Sequence, residues 1–258
     1  MADNHLSDFL KTLTFFSGLL ESDMSAFLGT ASVRTYKKGD GLFHQGDDAN
    51  AFYVIISGWI KLFRNTTEGE EALVGLFSRG DVFGEAALFT GSVFPLSAQA
   101  AGEARVLVIP GDMLKARAKK NPEVTSRMLA SLSREMIRLQ RQNEQMAIMS
   151  APQRIACLLL QLSSDMKGEG GTFSFPYDKS LAASRLGMKP ETFSRALAQL
   201  RPEGVSVKGA EITIDSFAQL SEYACNHCTA LPGECGGLRC AACPMQQMQQ
   251  RKKAVMAN

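Results

Sequence analysis

Five cysteines lie close together near the C-terminal end of the sequence, in two Cys-x2-Cys pairs with one cysteine between the pairs. They are Cys225, Cys228, Cys235, Cys240 and Cys243. Thiolates two residues apart can converge on one metal, and four thiolates suffice for a structural zinc ion or for an iron–sulfur cluster. The spacing does not choose between these metals, and a tail with free thiols is the alternative. The sixth cysteine, Cys157, lies in an apolar helical segment and is expected to be a buried packing thiol.

A second set of residues suited to chemistry follows Pro190. A helix is predicted to begin at this proline, because proline favours the first position of a helix. On that helix Glu191, Ser194 and Arg195 share one face, since they are three and four residues apart. Arg195 can donate two hydrogen bonds to guanine, Glu191 can accept one from cytosine, and Ser194 can pair with either base type. A solvated arginine and an acid that complements the helix dipole are the alternative. Further DNA contacts are predicted from Lys179, Ser180, Lys189 and Thr192.

The elements around this helix have the order of a DNA-binding motif. Residues 179–186 predict a first helix, Gly187 supplies the turn, and residues 190–197 predict the second helix. Residues 205–214 predict a β-hairpin that turns on Lys208-Gly209. Helix, turn, helix and hairpin predict a winged helix-turn-helix, whose second helix enters the major groove of double-stranded DNA.

A long helix is predicted upstream, beginning near Pro122 and ending at Ser150-Ala151-Pro152. Its seam residues alternate at spacings of three and four: Leu129, Leu132, Met136, Leu139, Asn143 and Met146. Such a heptad seam packs against a second helix, and an asparagine within it fixes the register. The helix therefore predicts a homodimer, with packing inside one chain as the alternative.

The N-terminal half has short helices in residues 1–30 and then short apolar runs between glycine-containing turns from Ser32 to Pro110. Many short strands at this spacing predict an antiparallel barrel or sandwich. The fold class is therefore α+β. The predicted organisation is an effector domain (1–120), a dimerisation helix (121–150), a DNA-binding domain (151–220) and a cysteine-rich tail (221–258).

The overall composition is ordinary for a globular protein, with 258 residues, 45% hydrophobic and 21% charged, and a net charge of +2. That charge does not by itself indicate a nucleic-acid partner. No apolar run reaches the roughly 20 residues that span a bilayer, and the first residues lack an export signal. We therefore expect a cytoplasmic protein without a membrane partner. We also predict no enzyme, because no paired carboxylates, nucleophile–base pair or phosphate loop stands out.

From about residue 10 to residue 220 the chain resembles the CRP/FNR family of transcription regulators. The resemblance rests on residues 43–47, 52–58, 80–85 and 189–195. It implies an N-terminal cyclic-nucleotide-binding-like β-roll, a long dimerisation helix and a C-terminal winged helix-turn-helix. The Glu-x2-Ser-Arg spacing resembles the FNR/DNR branch, which implies a palindromic site with TTGAT-like half-sites and contact with RNA polymerase.

The resemblance also implies a signal, and here the sequence departs from the cyclic-AMP pattern. In members that bind cAMP, an arginine and a serine or threonine follow Phe-Gly-Glu and hold the phosphate. This chain has Phe94-Pro95-Leu96-Ser97-Ala98 there, and no arginine between Arg79 and Arg105. A buried phosphate without a cationic partner is unfavourable, so we predict no cAMP binding. Glu85, the last residue of the motif, is expected to serve only the local turn.

The resemblance to the FNR/DNR branch implies oxygen, nitric oxide or the redox state as the signal. They would act at the cysteine cluster or at a haem in the β-roll, where His44 is the only histidine. Two alternatives stay open. One is a zinc-stabilised regulator with a small molecule or haem in the β-roll, and the other is a β-roll interaction module that does not bind DNA.

Overall fold

The computed structural model describes residues 2–225, apart from residues 67, 68, 70, 92, 164, 165 and 167. The chain divides after Glu135 into two units, and this boundary falls inside one long helix, α5 (Pro122–Ile148). Within the described range, no helix combines the length and the apolar character needed to cross a membrane.

The first unit contains two antiparallel sheets followed by a helix that leads into α5. Its sheets have the strand orders β1-β8-β3-β6 and β2-β7-β4-β5, which confirms the predicted antiparallel β-structure. The elements are α1 (Ala2–Lys11), α2 (Glu21–Thr30), β1 (Ser32–Tyr36), β2 (Gly41–Phe43), β3 (Ala51–Ser57), β4 (Ile60–Asn65), β5 (Glu71–Phe77), β6 (Val82–Phe83), α3 (Glu85–Thr90), β7 (Ser97–Ala100), β8 (Ala104–Pro110) and α4 (Gly111–Lys120).

The core of this unit is built around strand β3. Its first five residues are all buried, which explains why the sequence has a continuous apolar run here instead of an alternating pattern. Helices α2 and α4 and the first turns of α5 contribute buried residues to the same core, among them Phe27, Leu114 and Val124. The same core contains several aromatic rings. Among them, Phe43 and Phe94 stack with their ring centroids 3.7 Å apart.

The second unit has the predicted winged helix-turn-helix arrangement. A three-stranded antiparallel sheet of order β10-β11-β9 forms the wing, and its hairpin turns at Gly209, as predicted. The elements after α5 are α6 (Ala151–Leu162), β9 (Gly171–Ser174), α7 (Lys179–Arg185), α8 (Pro190–Ala198), a 3₁₀ turn (Arg201–Glu203), β10 (Val205–Lys208), β11 (Glu211–Ile214) and α9 (Phe217–Cys225).

The start of α6 is fixed by a capping box. The Ser150 hydroxyl accepts a hydrogen bond from the backbone N–H of Gln153, and the Gln153 side chain accepts one from the backbone N–H of Ser150 at 3.0 Å. Pro152 lies in the first turn, where its missing N–H costs nothing. These local signals explain why the long helix ends where the sequence predicted.

Glu85 differs from its sequence-based expectation. It is the first residue of α3, it is only 6% exposed, and its Oε2 atom has no hydrogen-bond partner among the described residues. Burial raises the pKa of this carboxyl above its ordinary value of 4.5. A hydrogen bond from its own backbone opposes the increase, and the negative charge of Glu135 adds to it. Glu85 is therefore a buried acid of the β-roll, a burial that the expected turn role did not predict.

This burial predicts a pH dependence of stability. Because the pKa of Glu85 is higher in the folded than in the unfolded state, the folded state holds the proton more tightly, and stability falls as pH rises through the interval between the two values. We expect Glu85→Gln to remove this fall. Urea unfolding followed by the fluorescence of Trp59, the single tryptophan, measures it in the first unit.

Glu103→Gln is the matched control, because Glu103 is exposed. It should keep the pH dependence of the unmodified protein. An unchanged pH profile in Glu85→Gln would contradict the assignment.

Candidate nucleic-acid interface

Helices α7 and α8 are joined by a tight turn at Gly187. This residue has a φ of 63°, a conformation that side chains with a Cβ atom adopt with strain. The backbone N–H of Met188 donates to the carbonyl oxygen of Ala183 at 3.0 Å, which closes the end of α7. Pro190 then begins α8, as its fixed φ favours.

The orientation of α8 is set by its buried side. Phe193, Ala196 and Leu197 are buried, and the Phe193 ring meets that of Phe175 edge-to-face with centroids 6.3 Å apart. Since the helix repeats every 3.6 residues, the positions between these must face solvent.

The three predicted base-contacting residues all lie on the exposed side of α8. Glu191, Ser194 and Arg195 are exposed, and the structure brings them together on one face of the first two turns. The Ser194 hydroxyl donates to the carbonyl oxygen of Pro190 at 3.0 Å. Its proton is therefore engaged, and its free lone pairs leave it an acceptor for a base amine.

The four supporting residues are placed around this face. Ser180, Lys189 and Thr192 are exposed, and Lys189 lies at the N-cap of α8. Lys179 is half-buried, and its Nζ donates to the carbonyl oxygen of Gly209 at 2.7 Å, which ties α7 to the turn of the wing. The sequence did not indicate this bond, because the two residues are 30 positions apart.

A hollow separates α8 from the wing and adds one residue that the sequence analysis did not assign. It has a volume of about 710 Å³ including solvent, and Lys179, Ser194 and Arg201 contribute polar groups to its lining. Arg201 is exposed in the 3₁₀ turn between α8 and β10. The sequence feature that could have identified Arg201 is its position, as a basic residue just after the predicted recognition helix.

The predicted seam residues of α5 leave much apolar surface on the chain. In the first unit, Leu129 is 56% exposed, whereas Leu132 packs partly against the core. In the second unit, the apolar seam residues Met136, Leu139 and Met146 are 58%, 43% and 45% exposed, and Asn143 is also exposed.

The cysteine cluster lies almost entirely outside the described residues. Cys225 is the last residue of α9, while Cys228, Cys235, Cys240 and Cys243 fall beyond the described range. Among residues 2–225 that are described, no three acidic, histidine or cysteine side chains form a metal-binding group. Cys157 is half-buried on α6, whereas the sequence analysis expected a buried thiol.

His44, the histidine considered as a haem ligand, lies at the surface of the β-roll. The imidazole is 77% exposed and lies 3.6 Å from a carboxylate oxygen of Asp47 in a surface turn. In the segment 94–98, Phe94 and Ser97 are buried, and the Ser97 hydroxyl accepts from the backbone N–H of Gln45 at 3.0 Å. Arg64 approaches from β4 and donates to the carbonyl oxygen of Pro95 at 3.2 Å.

Comparison with known proteins finds two family models along the chain. Residues 33–121 match the cyclic nucleotide-binding domain, and residues 153–223 match the Crp-like helix-turn-helix domain. These two matches cover the β-roll and the winged helix-turn-helix described above.

Individual relatives extend over most of the chain. It is 32% identical to the fumarate and nitrate reduction regulatory protein of Vibrio cholerae, over 73% of this chain and 76% of that protein. It is 30% identical to the transcriptional activator protein anr of Pseudomonas aeruginosa, over 74% of this chain and 80% of that protein. A crystal structure of a candidate cyclic nucleotide binding protein from Ruegeria pomeroyi superimposes with a TM-score of 0.67 at 37% identity, covering 87% of this chain and 99% of that one.

The fold, the exposed face of α8 and these matches agree. The chain belongs to the CRP/FNR family and is a DNA-binding transcription regulator.

Proposed function

We propose that this regulator binds as a homodimer to a palindrome with TTGAT-like half-sites, and that Glu191, Ser194 and Arg195 contact the base edges. The observation that carries the proposal is the exposed face of α8, which presents these three groups opposite a fully apolar buried side. In a helix-turn-helix, the N-terminal part of the second helix contacts the bases.

Each of the three groups has a chemical partner in the major groove. Arg195 suits the O6 and N7 acceptors of a guanine, and Glu191 suits the amine of a cytosine. Ser194, whose hydroxyl donates to the carbonyl oxygen of Pro190, can accept a hydrogen bond from the amine of cytosine or adenine. Lys189 and Arg201, both exposed beside this face, would contact phosphates and set the register.

The dimer is supported by the apolar surface along α5. Leu129, Met136 and Leu139 are about half exposed in one chain, and a partner helix in heptad register would cover them. Burying a large apolar side chain contributes roughly 1.5–3 kcal/mol, so several such residues favour association. Two recognition helices related by a two-fold axis then match the two halves of a palindrome. A dimer bound beside a promoter would contact RNA polymerase, as the family resemblance implies.

The proposed signal is oxygen, nitric oxide or the redox state, and not cAMP. The sequence 94–98 lacks the arginine of the cyclic-nucleotide pattern, and Phe94 in this segment is buried and stacks on Phe43. Arg64 lies nearby but is exposed and bound to a backbone carbonyl. The surface position of His44 argues against a haem held by that residue.

The cysteine cluster is the proposed place where the signal acts. Its donor set fits both an iron–sulfur cluster and zinc, because both accept four thiolates. An iron–sulfur cluster would supply sensitivity to oxygen and nitric oxide, whereas zinc would stabilise the tail structurally. A zinc-stabilised regulator is therefore the second candidate.

The base contact of Arg195 can be tested on DNA. We expect Arg195→Ala to lose about 1–3 kcal/mol of binding free energy and to relax the preference at one guanine of each half-site, since one bidentate contact is removed. Fluorescence anisotropy with duplexes substituted at single positions measures both effects.

Lys189→Ala serves as the matched comparison, because a phosphate contact weakens binding equally on all sequences and lowers its salt dependence. If Arg195→Ala behaved in the same way, Arg195 would be a phosphate contact and the assigned role would be wrong.

The dimer can be tested by placing charges on the seam. We expect Met136→Asp together with Leu139→Asp to convert the protein to a monomer, because two carboxylates in an apolar seam lack partners. Sedimentation equilibrium reports the mass, and Gln140→Asp, an exposed neighbour on the same helix, should remain dimeric. A dimer that survives the double substitution would show that the seam does not hold it.

The metal can be tested by anaerobic purification. We expect absorption at about 400 nm together with iron and sulfide, the signature of an iron–sulfur cluster. Replacing Cys240 and Cys243 by serine should abolish it, while Cys157→Ser, outside the cluster, should not. A colourless protein with bound zinc would instead support the second candidate, and a sharp Soret band would point to haem.

A further inference from the structure

A solvent-open pocket lies within the second unit, against the C-terminal part of α5, helix α6 and the end of α7. Its volume is about 630 Å³ including open solvent at the mouth. None of its described lining residues is acidic. Four of them are arginines: Arg138, Arg141, Arg154 and Arg185.

The guanidinium group of Arg154 makes one hydrogen bond to the backbone and has one buried nitrogen without a hydrogen-bond partner among the described residues. Its Nη1 atom donates to the carbonyl oxygen of Leu186 at 2.8 Å. Its Nε atom is buried and has no hydrogen-bond partner among the described residues. A buried donor without an acceptor is unfavourable, so an acceptor supplied by an occupant of the pocket would stabilise this arrangement.

The wall also contains uncharged polar side chains, including glutamine amides and one thiol. The side-chain amides of Gln145 and Gln161 point their nitrogen atoms at the sulfur of Cys157, at 3.8 and 3.6 Å. The Cys157 thiol, half-buried on α6, is thus part of the same wall. Four arginine side chains around a partly enclosed space form an environment for negatively charged oxygens.

We propose that this pocket binds a small oxyanion, the phosphate or carboxylate group of a low-molecular-weight ligand. Arginine matches both groups because its planar fork can donate two parallel hydrogen bonds to them. The ligand would contact α5, α6 and α7 at once. Under the proposed function, these are the dimerisation helix and part of the DNA-binding motif, so the ligand would brace one against the other within this unit.

Cys157 provides a local readout in the full-length protein. Tryptic cleavage places it in the peptide of residues 155–167, apart from the five C-terminal cysteines. We expect inorganic phosphate or succinate to slow its alkylation by N-ethylmaleimide about tenfold at about ten times the dissociation constant, because protection scales as 1 + [L]/Kd. Sodium chloride at equal ionic strength should not slow it. Mass spectrometry of the peptide measures the rate.

Two variants and one control locate the site. Arg141→Gln removes a charge from the α5 side and should abolish the protection, and Arg154→Lys keeps the charge but loses the fork and should weaken it. Arg34→Gln, an exposed arginine of the first unit, should leave it intact. If Arg154→Lys fails to fold, Arg141→Gln alone decides.

Three outcomes would overturn the proposal. Equal slowing by chloride would indicate a general salt effect, and full protection in Arg141→Gln would place the anion elsewhere. Protection by a DNA duplex but by neither phosphate nor succinate would assign the pocket to the DNA backbone. DNA binding by the unmodified protein, measured on the same preparation, separates the two hypotheses. If the unmodified protein did not bind DNA but phosphate or succinate still protected Cys157, the proposed function would be wrong and the anion site would stand.

Discussion

The burial of Phe193 is the interaction on which the reading of DNA depends. Its ring is 1% exposed and meets Phe175 from the segment before α7, so α8 cannot rotate about its own axis without exposing a large apolar surface. The helical repeat then fixes Glu191 and Arg195 on the opposite side. The specificity proposed for this protein is thus a consequence of core packing, and Gly187 and Pro190 set only where the helix begins.

The second constraint acts on the long helix. Along α5, residues near the start such as Val124 and Met128 are buried in the core of the β-roll, while Met136 and Leu139 further along are exposed. A single chain therefore buries only part of the apolar surface of α5. The start of α5 thus belongs to the core of the first unit, while the exposed apolar residues further along the helix would form the interface of the proposed homodimer.

Two places in the described structure hold polar groups without a full set of partners. Glu85 is a buried carboxyl in the β-roll, and Arg154 is a partly unsatisfied guanidinium in the second unit. Buried polar groups of this kind cost stability unless another group pairs with them. The two environments favour different charges. The raised pKa of Glu85 favours the neutral form of its carboxyl, whereas the arginine-lined pocket beside Arg154 favours an anionic occupant. A signal that alters either environment would change the free energy of the folded state.

The sequence by itself determined the element order, the turn at Gly187, the hairpin at Gly209 and the side of α8 that carries Arg195, because these depend on neighbours within a few residues. It did not determine the burial of Glu85, the half-exposed position of Cys157, or the bond from Lys179 to Gly209. Those features depend on segments that are distant along the chain and meet only in the folded protein. Spacing predicts which residues share a face, but only the tertiary structure decides what that face meets.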